Sequence, residues 1–263
     1  MKGDIGNRGH MTLKFTVHRV DGGVERMMDE VARDESLELH INGVNYRRLT
    51  ASPTLRRELI YGHLYAHGIA HPEEIEELII HPPRAYVKLR RSIDVEAIRE
   101  LELQLLSEAE GNKPMERLRE FQVDVDINVE AARLVALMGE MERRGSVFKR
   151  TGGVHGALLA ATTGEITAYV EDVSRYSAVD KAIGLTLLRG LKPRGLMLLS
   201  TGRQSAPMVL KAARCGIPLI ASRAAPTSSG IRAAEAVGIT LICFLRGRRM
   251  NIYTHPGRLS IGI

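Results

Sequence analysis

From Ser146 onward the chain alternates apolar strands with amphipathic helices, and this alternation constrains the fold more than any other feature. GVHGALLAAT and EITAYVEDV flank Thr163-Gly164 and read as a hairpin. SRYSAVDKAIGLTLLRG then reads as a helix, GLMLLS as a strand, and SAPMVLKAARCG as a helix ending at Gly216. PLIAS, GIRAAEAVG and ITLICFL continue as strand, helix and strand. Strand–helix–strand crossovers require parallel strands with helices covering the sheet. A β-hairpin followed by αβαβαβ therefore assigns residues 146–263 to the α/β class.

The preceding residues divide in two. Residues 12–91 read as a smaller α+β domain. LELHING ends at the turn signal Asn42-Gly43, VNYRRLTAS continues as a second strand, and TLRRELIYGHLYAHG carries Leu55, Leu59, Ile60 and Leu64 on one helix face, with Gly68 as its stop. PEEIEELII reads as a short helix, or as a helix entering a strand, and RAYVKLR as a strand. Residues 92–145 differ: IDVEAIRELELQLLSEAEG, MERLREF and VEAARLVALMGEMERRG are helical, and predict a helical insert packed between the two α/β parts. The chain is thus α+β overall. Residues before Met11 are left out of the fold reading, because the His10-Met11 pair has the form of an expression-tag junction.

In an open α/β sheet, ligands bind beyond the carboxyl ends of the strands. Here GLMLLS runs into Ser200-Thr201-Gly202-Arg203, PLIAS into Ser222-Arg223 and then Pro226-Thr227, and ITLICFL into Arg246-Gly247-Arg248-Arg249. An arginine stands at each of three successive ends, and two of these loops open helices, whose free N–H groups suit an anion. The competing expectation is three solvated loop charges. A formal net charge of +6 agrees with an anionic partner, or with a surface kept soluble. Aromatic residues are only 4% and tryptophan is absent, so the interleaved rings that stack bases are missing and nucleic acid ranks last among partners.

Other chemistries lack their residues. The hairpin and the layer after it resemble the cytidine-deaminase-like architecture. The zinc of that class needs His or Cys with Glu, then P-C-x-x-C, whereas the two helix starts here read Arg175-Tyr176-Ser177-Ala178 and Gln204-Ser205-Ala206-Pro207. No metal, zinc included, is expected. There is no GxSxG elbow. The two cysteines are far apart, which fits a reducing cytoplasm better than a disulfide framework. Cys243 lies inside an apolar strand. Cys215 lies in the last turn of a helix, where the dipole disfavours a thiolate, and is the one thiol retained as a candidate for catalysis. No apolar run has the length of a membrane span, and no signal peptide is evident.

Five segments in order carry a resemblance: TGGVHGALLA, EDVSRYSAVDK, STGRQSAPMVLKAARCGIPLIAS, AAPTSSGIRAAEAVGITL and RGRRMNIYTHPGRL. With DEVARDESLELHING and ASPTLRRELIYGHLYAHGI before them, they resemble the formate dehydrogenase accessory sulfurtransferase family, FdhD. The resemblance covers roughly residues 29–91 and 148–259. It implies a cytoplasmic homodimer with a deaminase-like C-terminal domain. Such a protein moves sulfur from a cysteine desulfurase to the molybdenum cofactor of a formate dehydrogenase catalytic subunit, and binds that cofactor's guanine dinucleotide part. The chain departs from the family pattern twice. The C-x-x-C loop on which the family carries sulfur is replaced by the cysteine-free run 92–145. Ser174, Tyr176 and Ser177 stand for Gly, His and Asn in a motif that otherwise keeps Glu171, Asp172, Arg175, Asp180 and Lys181.

The expected cofactor site therefore takes Thr151, Gly152, Gly153 and His155 from TGGVHG, and Asp172, Arg175, Asp180 and Lys181 from the next helix start. Ser200, Gly202 and Arg203 follow from one strand end, Ser222, Pro226 and Thr227 from the next, with Arg246, Asn251 and His255 closing the set. TGGVHG itself reads as a glycine-lined opening that leaves room for a bulky ligand beside His155, since the helix that a phosphate loop requires does not follow it. Asp180 and Lys181 alternatively form a pair on a helix surface, and His155 and His255 are alternatively structural.

Overall fold

The computed structural model describes residues 11–260. Leu37, Leu39 and Ile41 alternate with less buried residues, which makes Glu35–Ile41 (β3) a strand with one face in the core. Asn42 and Gly43 both take positive φ, 49° and 85°, and turn the chain into β4 (Val44–Ala51). After helix α1 (Arg56–Ala66), one 3₁₀ turn at Pro72–Glu74 leads into β5 (Ile75–His81) and then β6 (Arg84–Leu89). The strand order is β4-β3-β6-β5, with β3 and β6 parallel. α1 covers the sheet with Leu59, Ile60 and Leu64.

A hairpin precedes this sheet and, among the described residues, pairs with no other strand: β1 (Thr12–Val20) and β2 (Val24–Ala32). Leu13, Phe15 and Val31 are exposed on it.

Helix α2 (Val95–Glu110) begins where the Asp94 side chain accepts the amides of Glu96 and Ala97, and stops at Gly111, in the left-handed region at φ 87°. Its Val95 joins the core of the four-stranded sheet, whereas Leu105 and Ala109 join the core of the larger sheet, so α2 touches both parts. Short helix α3 (Glu116–Arg119) adds Leu118 to that second core. After strand β7 (Val129–Glu130), helix α4 (Ala131–Arg144) takes a different place from α2. Its stripe Leu134, Leu137, Met138 and Met141 covers one whole face of the larger sheet.

That sheet has six strands: β8 (His155–Ala160), β9 (Ile166–Asp172), β10 (Met197–Ser200), β11 (Leu219–Ser222), β12 (Thr240–Arg246) and β13 (Arg249–Thr254). The order is β13-β12-β11-β10-β8-β9. β10, β11 and β12 are parallel, as their crossovers require, while β8 and β13 run antiparallel to their neighbours. Helices α6 (Arg175–Leu188), α7 (Ala206–Arg214) and α8 (Ser228–Val237) cover the face opposite α4. Strand β14 (Leu259–Ser260) pairs with β7. The whole is a mixed α/β molecule.

The two sheets are joined mainly by α1 lying on α6. The helices approach so closely that a Cβ added at Gly62 would fall 1.7 Å from the Asp180 carbonyl oxygen, and one at Gly184 would fall 1.9 Å from that of Glu58. Only glycine fits at either position. No helix among the described residues is long and apolar enough to cross a membrane.

Candidate functional site

Because β8 runs against β10, its first residues lie beside the carboxyl ends of the parallel strands: Ala157 faces Ser200, and the Thr201 amide donates to the Gly156 carbonyl. A cavity of about 660 Å³ opens there. One wall comes from the end of α4 (Met141, Glu142) and from Phe148 of α5 (Ser146–Thr151); the other comes from the strand ends, with Thr201, Arg223 and Arg246. Gly152, Gly153 and His155 lie between the two walls, and Tyr169 and Glu171 of β9 complete the lining.

TGGVHG is thus a helix end feeding a strand. Gly152 caps α5 in the left-handed region at φ 64°, its amide donating to the Phe148 carbonyl at 2.7 Å. Thr151 Oγ1 donates to the Val147 carbonyl and accepts the Gly153 amide, so this hydroxyl holds the turn together. Glu171 accepts the amides of Val147 and Phe148 at 3.0 and 2.8 Å, fixing the start of α5 against β9.

His155 Nδ1 lies 3.3 Å from Thr201 Oγ1, which also accepts the Gly156 amide. Burial, then the positive charges of Arg175 and Arg203, outweigh Asp172 and lower its pKa below the ordinary imidazole value, so the ring is neutral at neutral pH. Arg223 reaches Glu142 at 3.1 Å, and Arg246 donates to the Arg223 carbonyl. Arg246 is exposed, as are Arg203, Arg248 and Arg249, which do not line the cavity. Glycine backbone, a neutral imidazole and the guanidinium groups of Arg223 and Arg246 can hold an anionic ligand with several oxygens, and no cysteine is among the residues that line the cavity.

The other expected residues distribute differently. Ser200 Oγ accepts the Gly202 amide, and Ser222 Oγ donates to the Gly202 carbonyl at 2.7 Å, so both buried hydroxyls shape the loop beneath the site rather than face a ligand. A Cβ at Gly202 would stand 2.6 Å from Cβ of Arg175. The Arg175 guanidinium lies 4.3 Å from the Tyr176 ring centre and donates to its hydroxyl, which meets Ser205 Oγ at 3.1 Å. Arg175 Nε is buried without a partner. Pro226 bridges to Gln204, and Thr227 caps α8 by accepting the Gly230 amide. These residues adjoin the cavity's strand ends without lining it.

Five positions lie elsewhere. Asp172 and Lys181 form a fully buried pair at 2.5 Å, not a helix-surface contact. Lys181 also donates to the Ser52 carbonyl, and Asp172 accepts the Ser52 and Ser174 amides, so the pair ties β4's end to α6. Burial raises the Asp172 pKa against the pull of Lys181, and lowers that of Lys181. Asp180, one residue away, points into a different buried cluster. His255 belongs to the opposite end of the sheet, where its carbonyl accepts from Thr240 at the start of β12 and its ring meets the Glu235 carbonyl. Asn251 lies on the edge strand β13, where it pairs with Cys243 of β12, away from the cavity lining.

Neither thiol reaches the cavity. Cys215 and Cys243 are buried, at 2% and 0% exposure. Burial, with Asp180 adding to it, pushes the Cys215 thiol far above its usual pKa, and burial alone pushes Cys243 up to about 12. Among the lining residues, Glu142, Phe148, Tyr169, Thr201 and Arg223 were not singled out as site residues from sequence. Thr201 and Arg223 follow directly on strand ends and carry that signal. Glu142 and Phe148 carry none, because only tertiary packing brings α4 and α5 to the sheet.

A model of the FdhD/NarQ family matches residues 32–260. The chain is 36% identical over 242 residues to the sulfur carrier protein FdhD of Methanothermobacter thermautotrophicus, an alignment covering 92% of this chain and 96% of that protein. It is 33% identical over 257 residues to the sulfur carrier protein FdhD of Thermoplasma acidophilum, covering 91% and 90%. The crystal structure of a protein described as a formate dehydrogenase accessory protein from Desulfotalea psychrophila matches with a TM-score of 0.78, over 95% of this chain and 100% of that one, at 27% identity. The family match takes in both larger sheets, the cavity and its arginine rim, and the chain belongs to the FdhD/NarQ family.

Proposed function

We propose that this protein is a cytoplasmic accessory factor for a formate dehydrogenase, and that its cavity holds the guanine dinucleotide part of the molybdenum cofactor while that cofactor is made ready for the enzyme. The observation that carries the reading is the meeting of Arg223 and Arg246 with the glycine turn and neutral His155 around one cavity. Phosphate oxygens match guanidinium groups and backbone amides. The curated relatives named above are sulfur carriers, which supports a part in sulfuration, and the Desulfotalea protein is described as a formate dehydrogenase accessory protein, which supports the client. The order β9-β8-β10-β11-β12, with β8 antiparallel to β10, supports a deaminase-like ancestry. A homodimer acting alongside a cysteine desulfurase is the working assembly.

The burial of both cysteines favours a narrower role in sulfuration. The protein holds the cofactor, and the thiol that bears the sulfur belongs to another protein.

Calorimetry with GDP tests the site. Binding is expected, and Arg246→Ala is expected to weaken it about tenfold, the loss of one charge-assisted contact. Affinity unchanged in Arg246→Ala, or no binding by the parent chain, overturns the assignment of the cavity.

A further inference from the structure

Ionisable side chains from four elements also meet in the interior, where α1 packs against α6, α7 and α2, and the proposed function uses none of them. His63 and His67, one helical turn apart on α1, lie with ring centres 4.0 Å apart. Asp180 of α6 accepts from His63 Nδ1 at 2.8 Å, and its other oxygen pairs with Lys211 of α7. Lys211 Nζ also donates to His67 Nε2 at 2.9 Å. His67 Nδ1 faces Glu102 of α2, which accepts in addition from Arg47 and Tyr46 of β4.

These contacts fix where the protons are. An ammonium group only donates, so His67 Nε2 presents its lone pair to Lys211 and its proton sits on Nδ1, toward Glu102. Ionised Asp180 only accepts, so His63 too is protonated on Nδ1. A proton added to His67 has one place to go: Nε2, directly against the Lys211 ammonium. His63, His67 and Asp180 have donor atoms within 4.8 Å of one another, close enough for a metal, but Lys211 already bonds two of the three. The cation that holds this cluster is therefore the protein's own.

We propose that the chain His63–Asp180–Lys211–His67–Glu102 is an acid-sensitive latch, in which protonation of His67 expels Lys211 from between His67 and Asp180 and loosens α1, with the four-stranded sheet it carries, from α6 and α7. The groups facing the His67 ring set the direction. Burial, then Lys211 and His63, disfavour its protonation well below the ordinary value; Arg47 adds to them, and Asp180 opposes. Glu102 and Asp180 supply the negative charge, while Arg214 and Cys215 of α7 flank Glu102 and Asp180. In the opened state His67 is solvated and regains a pKa of about 6.5. The opened state thus binds the proton more readily, so the latch is closed above that value and weakens as pH falls below it.

Hydrogen exchange read by mass spectrometry on the full chain, corrected for intrinsic rates, tests the proposal. Between about pH 7.5 and about pH 5.5, peptides covering Arg56–Ala66 are expected to lose protection roughly tenfold, whereas peptides covering β10–β12 are not. His67→Gln can still accept from Lys211 and donate to Glu102 but cannot titrate, and is expected to lose markedly less α1 protection than the parent, keeping only the part of the loss carried by His63, which burial also holds below the ordinary imidazole value. Loss confined to neither region in the parent chain, or the same loss in His67→Gln, overturns the latch. Should His67→Gln fail to fold, imidazole ¹⁵N NMR on the parent chain decides. The proposal requires the Nδ1–H tautomer at His67 and a protonation midpoint that coincides with the loss of α1 protection; a different tautomer or a separate midpoint refutes it.

Discussion

Asp180 and Lys181 are neighbours in sequence and serve different clusters. Successive residues on a helix point about 100° apart, so Lys181 turns toward Asp172 and Ser52 while Asp180 turns toward His63 and Lys211. Removing Lys181 strands a buried carboxylate. Lys181→Met is expected to cost about 3–5 kcal/mol, seen as a lower urea midpoint with unchanged slope; a midpoint equal to the parent's would mean that the pair is dispensable. For Asp180, burial pushes the pKa up, but Lys211 and the two histidines outweigh it and hold the carboxyl far below its usual range. A depressed carboxylate contributes stability above its unfolded value of about 3.9 and loses it as pH falls through the folded value. Asp180→Asn is therefore expected to flatten the acid limb of the stability curve, and an unaltered limb would contradict this. The thiols make an independent test. Iodoacetamide in native buffer is expected to leave Cys215 and Cys243 unlabelled until denaturant is added, and cysteine desulfurase with cysteine is expected to leave no persulfide mass on either. A persulfide on the folded chain would return sulfur carriage to this protein. The arginines at the strand ends were legible in sequence, since topology alone places them. The partners of Asp180 and Lys181 were not, because Lys211, His63 and Ser52 are distant along the chain.

At the scale of elements, α1 and α6 cross with their backbones in contact at Gly62 and Gly184. A methyl group there meets backbone, which cannot swing aside as a long side chain can. Gly184→Ala is expected to lower stability by roughly 3 kcal/mol, read from the thermal midpoint, and an unshifted midpoint would show that the helices separate freely. The repeated strands and helices after Ser146 were legible because their periodicity is local. β13 was not: RMNIYT alternates only weakly in burial, and its strand form comes from pairing with β12. α5, with six residues, is too short to show a period. The amphipathic stripe of α4 was legible, but a stripe of Leu and Met fits a sheet as well as another helix, so the face it covers had to be seen.

At the scale of the molecule, besides the packing of α2 on both cores, three devices join the two larger sheets: the Lys181–Asp172 pair on Ser52, the glycine crossing, and the histidine cluster. Two are electrostatic and respond to pH; the crossing is steric and does not. With backbones in contact at one point and no side chain between them, α1 and α6 cannot slide or change register. The motion left to them is rotation about that point, which makes the crossing a fulcrum. Arg175, at the first turn of α6, lies nine residues from Gly184, a lever arm of about 13 Å at 1.5 Å per residue. A tilt of about 5° would carry the first turn of α6, and with it the guanidinium packed against Gly202, by about 1 Å at the edge of the cavity.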